Sequence, residues 1–496
     1  MHRNQCAVPK KTLSQYTQSI TRTMFKPTKH QLPLTLAITL CLLNVCRSEE
    51  APPNIIVIMC DDLGYGDLRC YEPDTVIRTP NLNSMAGEGV RFTRFYSASP
   101  VCSPTRGSCL TGRHPYRYGI YFANRGHLPQ EEITIPELLK SLDYQSGHFG
   151  KWHLGTLTKT VQDANRGGPR GAKHFSTPSM HGFDESFVTE SKVPTHDPML
   201  APPNASKNGW DALKKNETSE FYGTRFWNHQ HEEVKDNLEG DTSRIVMDRV
   251  LPFIDNALKA RKPFFANIWF HAPHLPVVAN ERHTQPYQQF SSYFKNYYGC
   301  ITAMDEQVGR LRSHLKAKGV EENTIILFCS DNGPEGNAGK APGSAGPLRG
   351  RKRSLYEGGV RVPGILVWPS KVSPRIIESP VVTSDILPSI IDLLNIEYPD
   401  NRPLDGVSFL PILQGQENTR GQSIGFQSSK EIAWHTENFK LYSADAGTSW
   451  ELYNLKSDPA ETKNLNQREP ARLEVMKQEL EKWIESCKQS DLGKDY

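Results

Sequence analysis

The sequence predicts an α/β fold: a large, mainly parallel or mixed sheet flanked by helices, then a smaller antiparallel sheet with a terminal helix. Three observations carry this expectation. Unbroken β-branched apolar runs recur along the chain and end in polar residues, as strands covered on both faces do. A stretch of helical period separates two of these runs. Beyond residue 415 the apolar segments become short and alternating, the pattern of an antiparallel sheet.

Residues 54–59 (NIIVIM) read as the first buried strand and run into Cys60-Asp61-Asp62-Leu63-Gly64. Residues 144–151 lead into Lys151-Trp152-His153, and residues 264–270 (FFANIWF) end at His271-Ala272-Pro273-His274. Tyr297, Ile301, Met304, Val308 and Leu311 give residues 293–318 a helical apolar stripe. Residues 324–329 (TIILFC) repeat the strand pattern and end in Ser330-Asp331-Asn332-Gly333. Alternating strands and helices place these polar ends along the carboxyl edge of a sheet, where such folds bind ligands. Residues 155–240, rich in Gly, Asn, Lys and His with scattered Trp210, Phe221, Tyr222 and Trp227, read as a surface excursion. Residues 375–394 return to core helix and strand. Residues 424–427, 431–435, 439–443 and 450–455 read as the small sheet, and residues 470–488 as the last helix. The expected division is a catalytic domain over 52–414 and a C-terminal α+β domain over 415–496.

Composition sets the outer bounds. The 496 residues are 37% hydrophobic and 23% charged, with 36 Gly and 36 Pro, enough apolar material for a large, loop-rich core. A collagen, a coiled coil, a polytopic membrane protein and a mostly disordered chain are excluded. The formal charge of +3 depends on the first 48 residues, which hold seven Lys and Arg and no acid, so the remainder carries −4. Nothing in that balance points to nucleic acid. Residues 31–46 (QLPLTLAITLCLLNVC) follow basic residues and are short for a membrane span. Residues 1–48 therefore read as a secretory leader, with Met24 as an alternative start and an uncleaved anchor as the rival reading. Seven of the ten cysteines lie beyond it, an odd number that leaves at least one thiol unpaired or otherwise used. Asn204-Ala205-Ser206 and Asn216-Glu217-Thr218 are glycosylation sequons. The compartment expected is the secretory pathway, ending in the lysosome or outside the cell.

Residues 101–113 (VCSPTRGSCLTGR) concentrate the chemistry. Pro104 after Ser103 marks a helix start, so Cys102 sits just ahead of a positive dipole end, with Arg106 one turn on. Such a cysteine is either buried or disulfide-bonded, or it is an activated thiolate. Asp61, Asp62, Asp331 and Asn332 place four oxygen donors at two strand ends. A hard donor set without Cys or His suits Ca²⁺ or Mg²⁺ over zinc. Singly, each Asp would be a cap or turn residue; two clusters in one sheet favour a shared cation.

Cys102-x-Pro104-x-Arg106 followed by Leu110-Thr111-Gly112-Arg113 resembles the signature of the type I sulfatases. Residues 61–67 (DDLGYGD), 147–155 (GHFGKWHLG), 330–335 (SDNGPE) and 356–363 (YEGGVRVP) are similar to further blocks of that family, in the same order. The resemblance spans about residues 54–411 and is strongest toward the arylsulfatase and N-acetylgalactosamine-6-sulfatase branch. It implies an alkaline-phosphatase-like fold and hydrolysis of aryl or carbohydrate sulfate monoesters. It also implies that the formylglycine-generating enzyme oxidises Cys102 to Cα-formylglycine during biosynthesis. Asp61, Asp62, Asp331, Asn332 and residue 102 would bind one Ca²⁺ per subunit, with Mg²⁺ as the alternative. The hydrate at 102 would attack sulfur to give a sulfated enzyme, and His153 would take the proton of the second hydroxyl. Arg106, Lys151, His153, His274 and Lys352 would form the catalytic wall, with Lys151, His271, His274 and Lys352 toward the substrate. Spacing favours His274 over His271 as the acid for the departing alcohol, while Arg349, Arg351 and Arg353 crowd Lys352.

His181-Gly182-Phe183-Asp184-Glu185 fits the family, but Ser186-Phe187-Val188-Thr189 departs from it, so no substrate contact is carried over there. A homodimer is compatible with all of this. The rival readings are a phosphate or phosphonate ester hydrolase of the same superfamily, and a catalytically silent, calcium-binding secreted glycoprotein.

Overall fold

The computed structural model describes residues 51–496; the leader read at 1–48 lies outside them. Strand β1 (Asn54–Cys60) is buried along its whole length. Its side chains alternate between two cores, Ile56, Ile58 and Cys60 on one face and Ile55, Val57 and Met59 on the other. Both faces are apolar because both are covered.

Along the chain follow β2 (Val90–Tyr96), β3 (Gln145–Lys151), β4 (Glu185–Thr189), the separate ribbon of β5 (Leu200–Ala201) and β6 (Glu220–Phe221), β7 (Phe226–Asn228), β8 (Glu233–Val234), β9 (Phe264–Trp269), β10 (Thr324–Ser330), β11 (Arg361–Val367), β12 (Arg375–Ile377) and β13 (Val381–Val382). The main sheet runs β12-β2-β11-β10-β1-β9-β3-β4-β7-β8, with β13 also on β2. Its centre, β10, β1, β9, β3 and β4, is parallel throughout. The flanks are antiparallel where β11 meets β10 and β2, and where β7 meets β4 and β8. The sheet is therefore mixed.

Helices cover both faces. Thr242–Ala260 and Ser292–Ala317 pack on the Ile56 side through Ile245, Val250, Ile301, Met304 and Leu311. Cys102–Thr111 and Ile386–Leu394 pack on the Val57 side through Leu110, Leu387 and Ile390. The second of these, Ser292–Ala317, is the helix expected over 293–318.

Two strands lie outside the runs read from the sequence, and a third overturns the surface reading of residues 155–240. In β2 (VRFTRFY), Arg91 and Arg94 break the apolar run. In β11, Pro363 sits at a register shift between Val362 and Gly364, a bulge position where a missing N–H is tolerated. Residues 155–240 do not stay on the surface: Glu185–Thr189 enters the sheet beside β3, and Phe187 and Val188 are buried.

The small sheet is antiparallel in the order β14 (Ile424–Ser428), β15 (Glu431–His435), β16 (Phe439–Ser443) and β17 (Glu451–Asn454). Trp434, Leu441 and Leu452 pack against Met476 and Leu480 of the last helix, Pro470–Asp491. The opposite face carries Phe426, Ala433 and Tyr442, which meet Tyr96, Leu355 and Val360 of the main unit. Among the described residues, no helix is long and apolar enough to cross a membrane.

Candidate active site

Strand register gathers the site. Cys60 lies beside Ser330, Met59 beside Trp269 and Lys151 beside Thr189. Asp61-Asp62, Asp331-Asn332, His271 to His274 and Trp152-His153 therefore all leave the sheet at one edge. The helix Cys102–Thr111 starts at the thiol itself, with Val101 as its cap, so Cys102 occupies a first turn of free N–H groups and positive potential.

Cys102 Sγ lies 3.4 Å from Asp61 Oδ1 and 4.0 Å from Asp62 Oδ1. Asp61, Asp62, Cys102 and His274 each offer a ligand atom within 4.8 Å of the others. Asn332 Nδ2 donates to Asp62 Oδ1 at 2.7 Å. Asp331 is engaged by Arg106, whose Nη2 and Nε donate to Oδ2 at 2.7 and 3.1 Å, and by the Asp62 N–H, which donates to Oδ1 at 3.1 Å. Two buried oxygens, Asp62 Oδ2 and Asn332 Oδ1, have no hydrogen-bond partner. Unpaired buried acceptors among carboxylates are costly unless a cation covers them. The donor set fits a hard divalent ion.

Three fixed cations balance the acids. Lys151 Nζ donates to Asp61 Oδ2 at 2.7 Å and Lys352 Nζ to Asp62 Oδ1 at 2.5 Å. Arg106 is fully buried, lies 5.0 Å over the Trp269 ring and donates through Nη1 to the Lys151 carbonyl at 3.2 Å. Burial works against the charge on Lys352, but Asp62 and Asp61 prevail and hold its ammonium above the usual lysine range. Burial likewise opposes ionisation of Asp61, and Lys151, His274 and Arg106 overcome it, holding that carboxyl well below the usual range.

The two histidine candidates part company. His274 Nδ1 bonds the Leu275 carbonyl at 2.6 Å, which leaves Nε2 3.7 Å from Asp62 Oδ2. His271 instead bonds Thr189 Oγ1 through Nε2 at 2.8 Å and packs against Phe226. Only His274 is brought into the carboxylate cluster. His153 sits at φ 57°, a left-handed conformation that a non-glycine residue keeps only when its surroundings hold it there. Its Nε2 meets Asn124 Oδ1 at 2.9 Å. That oxygen also accepts from Asn165 Nδ2 at 3.2 Å, so the imidazole proton is on Nε2 and the buried Nδ1, without a partner, is bare. Burial first, then Lys151 and Arg106, push the His153 pKa well down and keep the ring neutral.

Asn124 and Glu335 were not singled out from sequence. Glu335 pairs with Arg353 at 2.6 Å and lies 3.5 Å from Lys352. A lone Asn in a turn carries no local signal, and Glu335, though it closes the 330–335 block, gains its partners only across the fold. Asn204 and Asn216 are both exposed, and the seven described cysteines are all free.

A buried thiol at a helix start, ringed by carboxylates and fixed cations at the carboxyl edge of a mixed sheet, is an arrangement suited to hydrolysis of a small anionic ester. The Sulfatase family profile matches residues 53–396, and the chain belongs to the sulfatase family, enzymes that hydrolyse sulfate esters. A second profile, N-sulphoglucosamine sulphohydrolase, C-terminal, matches residues 350–490. N-acetylgalactosamine-6-sulfatase of Canis lupus familiaris is 32% identical over 426 residues, 82% of this chain and 74% of that protein. Arylsulfatase A of Homo sapiens is 31% identical over 447 residues, 84% and 83% of the two chains. The crystal structure of Ps i-CgsB in complex with k-i-k-neocarrahexaose superposes with a TM-score of 0.75 at 27% identity, covering 88% of this chain and 94% of that one.

Proposed function

We propose that this sulfatase cleaves sulfate monoesters of carbohydrates or aryl alcohols, with residue 102 as nucleophile after oxidation of Cys102 to Cα-formylglycine. The observation that carries the reading is the place of Cys102: first residue of its helix, 3.4 Å from Asp61, inside a ring of acids and fixed cations. The hydrated aldehyde would supply one hydroxyl for attack and a second through which sulfate is expelled. A divalent cation held by Asp61, Asp62, Asp331, Asn332 and residue 102, Ca²⁺ ahead of Mg²⁺, would supply positive charge to the ester.

The rest falls to the side chains. A sulfate monoester carries one negative charge, and displacement at sulfur moves charge toward the bridging oxygen. Cations that need no reorganisation stabilise that shift in a dry site. Arg106 is locked by Asp331 and Trp269, while Lys151 and Lys352 offer ammonium groups from two sides. His274 Nε2 gives the departing alcohol its proton, assisted by Lys352. His153, neutral and bare at Nδ1, takes a proton from residue 102. Oxidation of Cys102 by the formylglycine-generating enzyme would place maturation in the secretory pathway, with the exposed Asn204 and Asn216 as glycan sites and the lysosome or the cell exterior as destination.

Protein from a secretory host, assayed on a panel of sulfated sugars and aryl sulfates, is expected to release sulfate, and Cys102→Ala to release none. Equal release by the two proteins would overturn the assignment of residue 102.

A further inference from the structure

Leu355, Tyr356 and Glu357 follow Lys352 closely in the chain, and each is held by a different acid of the C-terminal segment. Glu431 Oε2 accepts from the Leu355 N–H at 2.6 Å, Glu451 Oε2 from Tyr356 Oη at 2.8 Å, and Glu461 Oε2 from the Glu357 N–H at 2.7 Å. The acids are themselves fixed. Tyr442 Oη donates to Glu431 at 3.1 Å, Tyr453 Oη to Glu451 at 2.6 Å, and Lys440 Nζ lies 2.7 Å from Glu461 and 3.2 Å from Glu357. Charge-assisted hydrogen bonds of this kind are short and strong where water is excluded, and Lys440, Glu357 and Glu461 are all buried. Glu461 also stands at φ 54°, strain that persists only when neighbours over-determine it.

The loop has no slack on its other side. Its Lys352 N–H donates to the Pro334 carbonyl at 3.2 Å. A Cβ at Gly359 would fall 1.9 Å from Ser354 O, and one at Gly358 2.3 Å from Gly350 O, so the loop is pressed onto bare backbone. Residues 349–357 are therefore clamped between a glycine pair and three acids of the C-terminal segment, Glu431 and Glu451 in its sheet and Glu461 in the loop after β17.

We propose that Glu431, Glu451 and Glu461 are positioning residues: acting through residues 355–357, they set where Lys352 stands against Asp62, so the C-terminal segment completes the catalytic centre. This rests on the reading of Lys352 given above. Misplacement of a catalytic group by about 1 Å costs up to roughly 100-fold in rate, and each acid supplies part of the hold.

The test is a double-mutant cycle on sulfate release, with Glu431→Ala made in the wild-type and in the Lys352→Ala background. Glu431→Ala is expected to lower kcat/KM by roughly 10-fold, and Glu431→Gln, which keeps an oxygen acceptor, to restore most of it. On top of Lys352→Ala, whose residual rate is the baseline, Glu431→Ala should cost nothing further. An equal fold-loss in both backgrounds, or unchanged activity in Glu431→Ala, would overturn the proposal. Should Glu431→Ala fail to fold, Tyr356→Phe removes the hydroxyl that reaches Glu451 and enters the same cycle. A wild-type protein that releases no sulfate would refute the underlying reading of the site, an outcome separable from either result of the cycle.

Discussion

Lys440→Met separates the stability of the buried ionic cluster from the chemistry of the site. Lys440 is fully buried, 2.7 Å from Glu461 and 3.2 Å from Glu357, both buried as well. Methionine approximates the lysine stem and removes only the charge, leaving two carboxylates short of their cation. Breaking a buried pair from one side costs about 3–5 kcal/mol, because the remaining charge stays desolvated. Arg361 Nη1 remains 3.5 Å from Glu357 Oε2, which places the expectation near the lower end, about 3 kcal/mol. For a chain of this size that is a fall in Tm of roughly 3–8 °C.

The pH dependence has a definite sign. Burial pushes Glu461 up to about 7 against the pull of Lys440. A carboxyl raised in the fold contributes stability that is complete below its unfolded pKa and is lost as pH rises through the folded value. Without Lys440 the folded value rises further, so the deficit of the variant is largest above neutrality and shrinks in acid. His435, 4.0 Å from Glu357 Oε1, is held neutral by burial first and by Lys440 second, and burial remains in the variant. Thermal melts of both proteins at about pH 8 and about pH 5 read this directly. A Tm within a degree or so of wild type at the higher pH, or a larger deficit at the lower one, would refute the reasoning.

Other perturbations probe the site. Arg106→Lys keeps the charge but loses the two-pronged contact with Asp331, and kcat for sulfate release should fall by roughly 100-fold to 1,000-fold; a loss under a few-fold would show that the fork is not needed. His274→Ala should cost far more than His271→Ala in steady-state kinetics, since only His274 approaches Asp62; the reverse order would exchange their roles. Dialysis against a chelator should abolish activity and lower Tm, with Ca²⁺ restoring both; full activity in demonstrably metal-free protein would exclude the cation read from Asp61, Asp62, Asp331 and Asn332.

Strands β1 and β10 at the parallel centre of the sheet are legible because a strand covered on both faces has an apolar interior, as residues 55–60 and 325–329 show. The ends of these strands are equally legible, since one Asp there would read as a cap or turn residue but two runs ending in Asp61-Asp62 and Asp331-Asn332 point to a shared site. Three other strands hide for different reasons: Arg91 and Arg94 interrupt β2, a proline marks β11, and β4 lies inside a polar stretch. Side chains that act within a contiguous motif, such as Cys102 and Arg106, can be found from spacing. Those that act alone across the fold cannot. Glu431, Glu451 and Glu461 meet their partners 76, 95 and 104 residues away, and nothing local distinguishes them from solvated surface acids.

Whether residue 102 is a carbonyl is read directly from the tryptic peptide 95–106 of active, secreted protein by mass spectrometry. The expected result is an aldehyde at position 102 in a fraction of molecules that tracks specific activity in sulfate release. An unmodified thiol at that position in fully active protein would contradict it.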